Sequence, residues 1–399
     1  MSFLSGIRVL DLTTVVVGPA CTLRLAQYGA AVVKVETAAG DMMRSLGGPS
    51  PGGRHSGAYL HLNCGKRNVC LDLKQPAGRA ALLRLVDRSD VLVANMRPEA
   101  LARLGLDATT LRARQPGMVH CVITGFGPGP YRGLPAYDSV VQGVSGVAGL
   151  FQRRNGAPAY VPLLLADHVV GEIAAGAVLA ALVERGRTGI GAAIEVPMHE
   201  TVAAFVLQEH MGRQSFEPPL GPAGDSRTLD PGNAPIETSD GWISVTANTD
   251  TQVAAYLGAV GRGDAIDDPR FGSVADRMRN VEAWFALRNG ALRGNTTAHW
   301  LRAMADADVP AMPCHTLKTL MDDPHLVAAG LVGTDVHPTM GAVRSMRPTV
   351  LRDGAADPAG PPAAPIGWDT LAVLAEAGFA EPEIAALLET GAARDGRSA

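Results

Sequence analysis

The chain of 399 residues is as informative for what it lacks as for what it has. Its five cysteines, Cys21, Cys64, Cys70, Cys121 and Cys314, include no C-x-x-C pair and no histidine partner at zinc-finger spacing. So few and so unpaired, they read as reduced thiols of a cytosolic protein. The formal net charge of −4 argues against a nucleic-acid partner, which calls for a basic face. It leaves room for a small anion held by a few local cations. The most apolar stretch, residues 173–183, is too short to span a bilayer and lies between Glu172 and Glu184. The first residues lack the basic segment and long apolar core of a signal peptide. A soluble, cytoplasmic protein with no membrane partner is expected.

Several motifs are missing too. With no H-E-x-x-H and no paired histidine spacing, no metal site is expected. There is no G-x-x-x-x-G-K-S/T phosphate loop, no dinucleotide fingerprint and no G-x-S-x-G nucleophile elbow.

What is present alternates. Short apolar runs at 8–12, 31–36, 68–73, 90–95, 118–124 and 192–196 read as strands. Helical stretches lie between them at 18–28, 76–88, 101–114 (with a break), 137–150 and 169–184, and another follows at 198–211. Strands separated by helices of this length predict an α/β fold with a parallel sheet and crossover helices. A Pro/Gly-rich stretch at 214–235 reads as a linker or functional loop. A smaller domain follows, with a strand at 242–246 and three helical stretches. An extended Pro/Ala segment (358–365) and helices at 368–376 and 382–390 close the chain. A chain this long exceeds one compact core, so two domains are expected.

Asp167 stands out. It falls in Leu163-Leu-Leu-Ala-Asp-His-Val-Val-Gly, at the first turn of the predicted Ala-rich helix. The partial positive charge of a helix start favours an ionised carboxylate there. Such a residue is either a helix cap or a nucleophile, and taken alone it reads first as a cap. Its neighbour His168 makes a poor partner, because adjacent helical residues point apart. Asp138, at the start of the 137–150 helix, also reads as a cap. Asn63-Cys-Gly-Lys-Arg-Asn places two cations in a turn, as a solvated basic turn or a phosphate site. Asn95, Met96 and Arg97 follow a strand, where ligands bind in open parallel sheets. The bend Gly125-Phe-Gly-Pro-Gly-Pro reads as a strand-to-loop turn without ligand, its prolines lacking donors.

Taken in order, these segments resemble the class III coenzyme A transferases, the CaiB/BaiF family. Relatives in that family include formyl-CoA transferase, carnitine CoA-transferase and α-methylacyl-CoA racemase. The resemblance is carried by Arg8-Val-Leu-Asp-Leu-Thr-Thr-Val-Val-Val-Gly-Pro-Ala, Val32-Val-Lys-Val-Glu with Gly40-Asp41, and Asn63-Cys-Gly-Lys-Arg-Asn. Leu71-Asp-Leu-Lys, Asn95-Met-Arg-Pro with Leu104-Gly, and Thr124-Gly-Phe-Gly follow. Ala136-Tyr-Asp, Asp167, Ala180-Ala-Leu-Val-Glu-Arg and Thr188-Gly complete it.

The resemblance implies a doubly wound, largely parallel sheet in a large domain made from both chain ends, 1–213 and 331–399. It implies a smaller inserted α+β domain, 214–330, including the Pro/Gly-rich segment that leads into it, and an intertwined homodimer; linkers read near 214–235 and 325–340 suit that arrangement. It makes Asp167 the nucleophile that carries acyl and CoA groups covalently between an acyl-CoA and a carboxylic acid acceptor. Coenzyme A enters as a thioester substrate, with no permanently bound cofactor. Val15, Val16, Val17, Arg67, Asn95, Met96, Arg97, Arg103, Ala136, Tyr137 and Asp138 would line the CoA channel, with Pro135. Thr37 stands where the family carries a cation after the Lys-Val-Glu strand.

The family's racemases use a histidine where Tyr137 stands and a glutamate where Thr249 stands. A tyrosine, with an ordinary pKa near 10, is a poor base at neutral pH. Transfer is therefore favoured over the alternatives, racemase-type proton transfer or acyl-CoA binding without turnover. The glycine-rich lid of formyl-CoA transferase is replaced by a Pro/Asp-containing segment, Gly221–Gly232, which points away from formate and oxalate.

Overall fold

A computed structural model describes residues 2–48, 50–51 and 55–397. The chain divides into two compact units. One is Met1–Ser145, Val161–Ala204 and Pro324–Ala399; the other is Gly146–Tyr160 and Phe205–Asp323.

The first unit is built on six parallel strands: β1 (Arg8–Leu12), β2 (Ala31–Glu36), β3 (Arg67–Leu71), β4 (Val91–Ala94), β5 (Val119–Thr124) and β6 (Ala193–Pro197). Their order is β3-β2-β1-β4-β5-β6, and a C-terminal strand, Ala393–Arg394, adds antiparallel to β3. This mixed α/β unit is thus dominated by a large parallel sheet. Every residue of β4 is buried, as is β1 beyond Arg8, as expected of strands covered on both faces. The chain order reverses between β2 and β4, on either side of β1. Loops leaving β1 and β4 diverge there and open a crevice at the carboxyl edge of the sheet.

Among the described residues up to 210 the helices are α1 (Val17–Gln27), α2 (Gly57–Leu62), α3 (Pro76–Val86), α4 (Pro98–Arg103), α5 (Ala108–Arg114), α6 (Asp138–Val144), α7 (Val147–Asn155), α8 (Leu165–Thr188) and α9 (Met198–His210). Strand alternation sorts the side chains. Leu10, Leu12, Leu71 and Leu92 join one core with Leu82 of α3, Leu111 of α5 and Leu374 of a C-terminal helix, Thr370–Glu376. Asp11 points to the opposite face, toward Thr22 of α1.

The expected helix at 169–184 begins earlier, at Leu165, and runs to Thr188. It has 24 residues and its most apolar window has a mean hydropathy of 1.6, so by length and composition alone it passes for a bilayer span. Here Val170, Ala174, Val178 and Ala181 are buried, and the helix packs on α1. Gly171 permits the approach. A Cβ there would sit 2.8 Å from both the Ala20 Cβ and the Val17 carbonyl oxygen.

Three other segments depart from expectation. The predicted 137–150 helix is broken at Gly146, whose φ of 93° suits glycine and ends α6. The following α7 belongs to the second unit, where Arg153 and Arg154 donate to the carbonyls of Ala223 and Asn233. The span 325–340, read as a linker, instead contributes to an antiparallel hairpin, Val332–His337 with Gly341–Met346. Cross-strand pairing is non-local, so apolar content alone did not mark it.

The second unit holds a three-stranded antiparallel sheet, Ile236–Glu237, Trp242–Val245 and Ala311–Pro313. Helices Asp250–Ala259, Val281–Gly290 and Thr297–Asp306 share its core, which contains Tyr256, Trp284, Phe285 and Trp300. A fourth helix, Val274–Arg279, was not expected. Within 214–235 there is one short helix, Ser226–Leu229.

Beneath the crevice lies a buried polar network. The Asp11 carboxylate accepts from the Thr13 amide and hydroxyl, the Thr22 hydroxyl and Lys66 Nζ (3.2 Å). Lys66 Nζ also donates to the Pro19 carbonyl and to Asn63. Burial pushes the Asp11 carboxyl up, but Lys66, Lys34 and the two hydroxyls outweigh it and hold it well below the usual carboxylate range. Replacing Lys66 by Met leaves Asp11 buried without its cation. Denaturant unfolding should show a loss of about 3–5 kcal/mol, much of it restored in the double variant D11N/K66M. A loss below about 1 kcal/mol would mean that the pair is not a structural tie.

Candidate active site

The crevice is a solvent-open cleft of about 1020 Å³ in the first unit. Its walls come from three loops at the carboxyl ends of strands and from the start of α8. Thr14–Val17 follow β1, Asn95–Pro98 follow β4, and Thr124–Phe126 with Arg132–Tyr137 follow β5. Asp167 and Met198 complete the wall.

The loop after β1 is held in a costly conformation. Val15 has φ 68°, a left-handed value that a β-branched side chain rarely adopts. Three groups from other strands over-determine it. The Asn95 side-chain oxygen accepts from the Thr14 amide at 3.0 Å, and its Nδ2 donates to the Thr14 carbonyl at 2.9 Å. The Asp41 carboxylate accepts from the Val15 amide at 3.0 Å. Lys34 Nζ donates to the Thr13 carbonyl and pairs with Asp41 at 3.0 Å. Strain of this kind persists where surrounding structure fixes it, and it clusters at functional sites.

Asp167 is the third residue of α8 and does not cap it. The cap position is Leu164, with no side-chain hydrogen bond, so the cap reading is corrected. Asp167 precedes Gly171, where α8 closes on α1, by one helical turn, and it shares the cleft wall with Val16 and Val17 at the start of α1. It is 7 % exposed, while the adjacent His168 faces solvent. No hydrogen bond from a described residue reaches the Asp167 carboxylate. Burial, with the Asp138 charge adding to it, raises its pKa from 3.8 to about 7. The expectation that a helix start keeps it firmly ionised is therefore also corrected, because desolvation outweighs the helix dipole.

Of the sequence-derived site residues, Val15, Val16, Val17, Asn95, Met96, Arg97, Ala136, Tyr137 and Asp167 meet on this one cleft. Arg97 is exposed and makes no hydrogen bond to a described residue through its guanidinium. Tyr137 is 61 % exposed. Three residues do not line the wall. Arg67 begins β3 at the amino edge of the sheet, the opposite end, where it pairs with Glu376 at 2.7 Å. Arg103 is exposed in the last turn of α4. Asp138 is buried behind Asp167, and its Oδ1 accepts from the Asp167 amide at 3.2 Å. Lys66 is neither solvated nor open to a phosphate, since its ammonium is spent inside the network.

Sequence reasoning missed Thr14, Arg132 and Met198. Arg132 sits in the Pro/Gly bend and pairs with Glu195 of β6. Only the pairing of β5 with β6 brings these two together. The glycine bend is fastened by its own chain, as the Gly127 amide donates to Glu200 and the Gly125 carbonyl accepts from the His199 amide. Thr249, in the second unit, caps helix Asp250–Ala259 in a reciprocal box with Gln252. Among the described residues no group of three or more His, Cys, Asp or Glu could hold a metal.

Comparison with known proteins gives a consistent picture. A family model described as CoA-transferase family III matches residues 4–370. A succinate–glutarate CoA-transferase from Agrobacterium fabrum is 34 % identical over 337 residues, covering 82 % of this chain and 84 % of the relative. The human succinyl-CoA:glutarate CoA-transferase is 30 % identical, covering 87 % of this chain and 80 % of the relative. Among solved structures, a CAIB/BAIF family protein from Brucella suis superposes with a TM-score of 0.78 at 27 % identity, over 94 % of this chain and 99 % of that one.

A carboxyl group whose folded pKa is raised disfavours folding once it must ionise. That cost is absent below the unfolded value near 4 and complete above about 7. Asp167→Asn removes it. The variant should melt several degrees above the parent at pH 8, with a gain of roughly 4 kcal/mol at most, and the difference should vanish by pH 4. A variant less stable than the parent at pH 8 would overturn this account of the carboxylate.

Proposed function

The chain belongs to CoA-transferase family III, and on that premise we propose that Asp167 carries the transfer covalently between an acyl-CoA and a carboxylic acid. One observation carries this reading. A buried carboxylate that no described residue hydrogen-bonds stands on the cleft at the sheet's switch point.

An Asp167 oxygen attacks the thioester carbonyl carbon. The C–S bond breaks, and CoA leaves as a thiolate with the electron pair. The resulting mixed anhydride is attacked at the Asp167 carbonyl by the thiolate, which releases the first acid and leaves an aspartyl-CoA thioester. An acceptor carboxylate then attacks that thioester, and the returning thiolate claims its acyl group from the second anhydride. Each step replaces one difficult exchange by easier ones. A partly desolvated carboxylate suits the first attack, since little water must be stripped from it. The first amides of α1 lack intrahelical partners and begin at Val17 on the same wall, where they can stabilise the oxyanions. Arg97 at the cleft supplies a cation for the anionic substrates.

Proton-transfer chemistry of the racemase kind has less support. Thr249, where a glutamate would be needed, spends its hydroxyl on a helix cap, and the position of the partner base is occupied by exposed Tyr137. The large domain from both chain ends would bind CoA, with the smaller one inserted. All five cysteines are unpaired, which suits the cytoplasm.

The assembly we propose is an intertwined homodimer. The exposed Ile173 and Val183 of α8, with Phe205 and Leu207 of α9, suit burial against a second copy. Sedimentation of the purified protein should give twice the chain mass, and a monomer at micromolar concentration would refute the assembly.

Two relatives carry succinate and glutarate in their names, so the donor panel starts from succinyl-CoA and glutarate. Mixing, acid quenching and intact-mass measurement should reveal a hydroxylamine-sensitive adduct that is absent from Asp167→Ala. No adduct with any donor of the panel would sink the covalent route. Incorporation of deuterium at the α-carbon of a 2-methylacyl-CoA would favour the racemase alternative instead.

A further inference from the structure

Asp138 does not reach the cleft, yet everything around it bears on Asp167. It is the first residue of α6 and is 6 % exposed. Its Oδ1 accepts from the backbone amide of Asp167 itself, and its Oδ2 accepts from Gln142 Nε2 at 2.6 Å. Gln142, also buried, donates to the Leu163 carbonyl at 3.1 Å, and its Oε1 accepts from the Val161 amide at 2.9 Å. Asp138 and Gln142 are one helical turn apart. Together they hold the chain that leads into α8 and the first turn of that helix.

The two carboxylates sit side by side in opposite surroundings. Asp138 accepts two hydrogen bonds, from the Asp167 amide and from Gln142 Nε2. Asp167 has desolvation and the charge of Asp138 against it. The other elements packed on the start of α8 bring no compensating charge. The facing positions of α1 are Val17 and Ala20, and Arg24 is engaged with Glu172 further along.

We infer that Asp138 is a positioning residue: it clamps the first turn of α8 through the Asp167 amide and places a second negative charge behind the attacking carboxylate. The inference rests on the covalent role proposed for Asp167. When Asp167 attacks, its negative charge moves onto the thioester oxygen and leaves with the thiolate. Repulsion from Asp138 is then relieved, so it acts against the reactant more than against the transition state. The clamp keeps the backbone from relaxing away.

Asp138→Asn removes the charge while keeping an oxygen to accept the Asp167 amide. In the full-length protein, kcat should fall about tenfold with the KM for acyl-CoA little changed. The acidic limb of kcat/KM should move to lower pH, because Asp167 ionises more readily. Asp138→Ala, which also loses the clamp, should lose more, and Asp138→Glu should keep the limb near its parental position. A second measurement needs no turnover. If repulsion is real, Asp167→Asn should raise the melting temperature at pH 8 less in the Asp138→Asn background than in the parent. Additive melting shifts together with an unmoved acidic limb would overturn the role of Asp138. A parent that forms no adduct while the melting shifts remain non-additive would instead overturn the covalent chemistry and leave the coupling of the two carboxylates standing.

Discussion

Two buried lysines hold up the cleft. Lys66 reaches through the layer between sheet and α1 to Asp11, and Lys34 reaches to the Thr13 carbonyl and Asp41. Neither pair is an efficient way to stabilise a fold, since desolvating two charges offsets much of their attraction. What the pairs do is fix a direction. Between them they determine where the chain turns after β1, and hence that Val15 takes a left-handed conformation on the cleft wall. An apolar core would supply comparable stability without specifying that turn.

The same molecule treats its buried carboxylates in two ways. Glu36 is pushed up by burial, but Arg44, Lys34 and the Tyr59 hydroxyl outweigh this and bring it to about 2. Asp11 is likewise surrounded by cations and hydroxyls. Asp167, also buried though somewhat less deeply, receives no such company and rises to about 7. The scaffold carboxylates are saturated so that they stay where they are. The one on the cleft is left without a hydrogen bond from any described residue. Stability is forgone on the cleft wall, the trade expected if the proposed chemistry takes place there.

Reading the chain alone went furthest where the signal is local. The strands from Arg8 to Pro197 and most of the helices between them follow from apolar runs and short turns, within a few residues of their final place, but the short helix α2 was not expected. Where the outcome depended on distant partners, local reading misled. Lys66 and Arg67 looked like a paired cationic turn, but parallel strands put Arg67 at the sheet edge away from the cleft and sent Lys66 inward. Asp167 looked like a cap because it stands near a helix start, but the helix begins three residues before the position a cap reading needs, with Leu164 at the cap. The hairpin 332–346 looked like linker because nothing in one strand announces its partner.

By itself, then, the sequence determined the alternation of strands and helices, the absence of common metal, phosphate-loop and serine-nucleophile motifs, and the ordered set of segments that resembles one enzyme family. It determined Asp167 as the residue of interest. Only the tertiary structure decided that residue's surroundings. Strand order places the loops after β1 and β4 on either side of a switch point. Gly171 lets α8 close on α1, and the burial that results removes water from a carboxylate while Asp138 adds charge behind it. Desolvation and the neighbouring charge both depend on which surfaces meet in space, and no spacing along the chain encodes them.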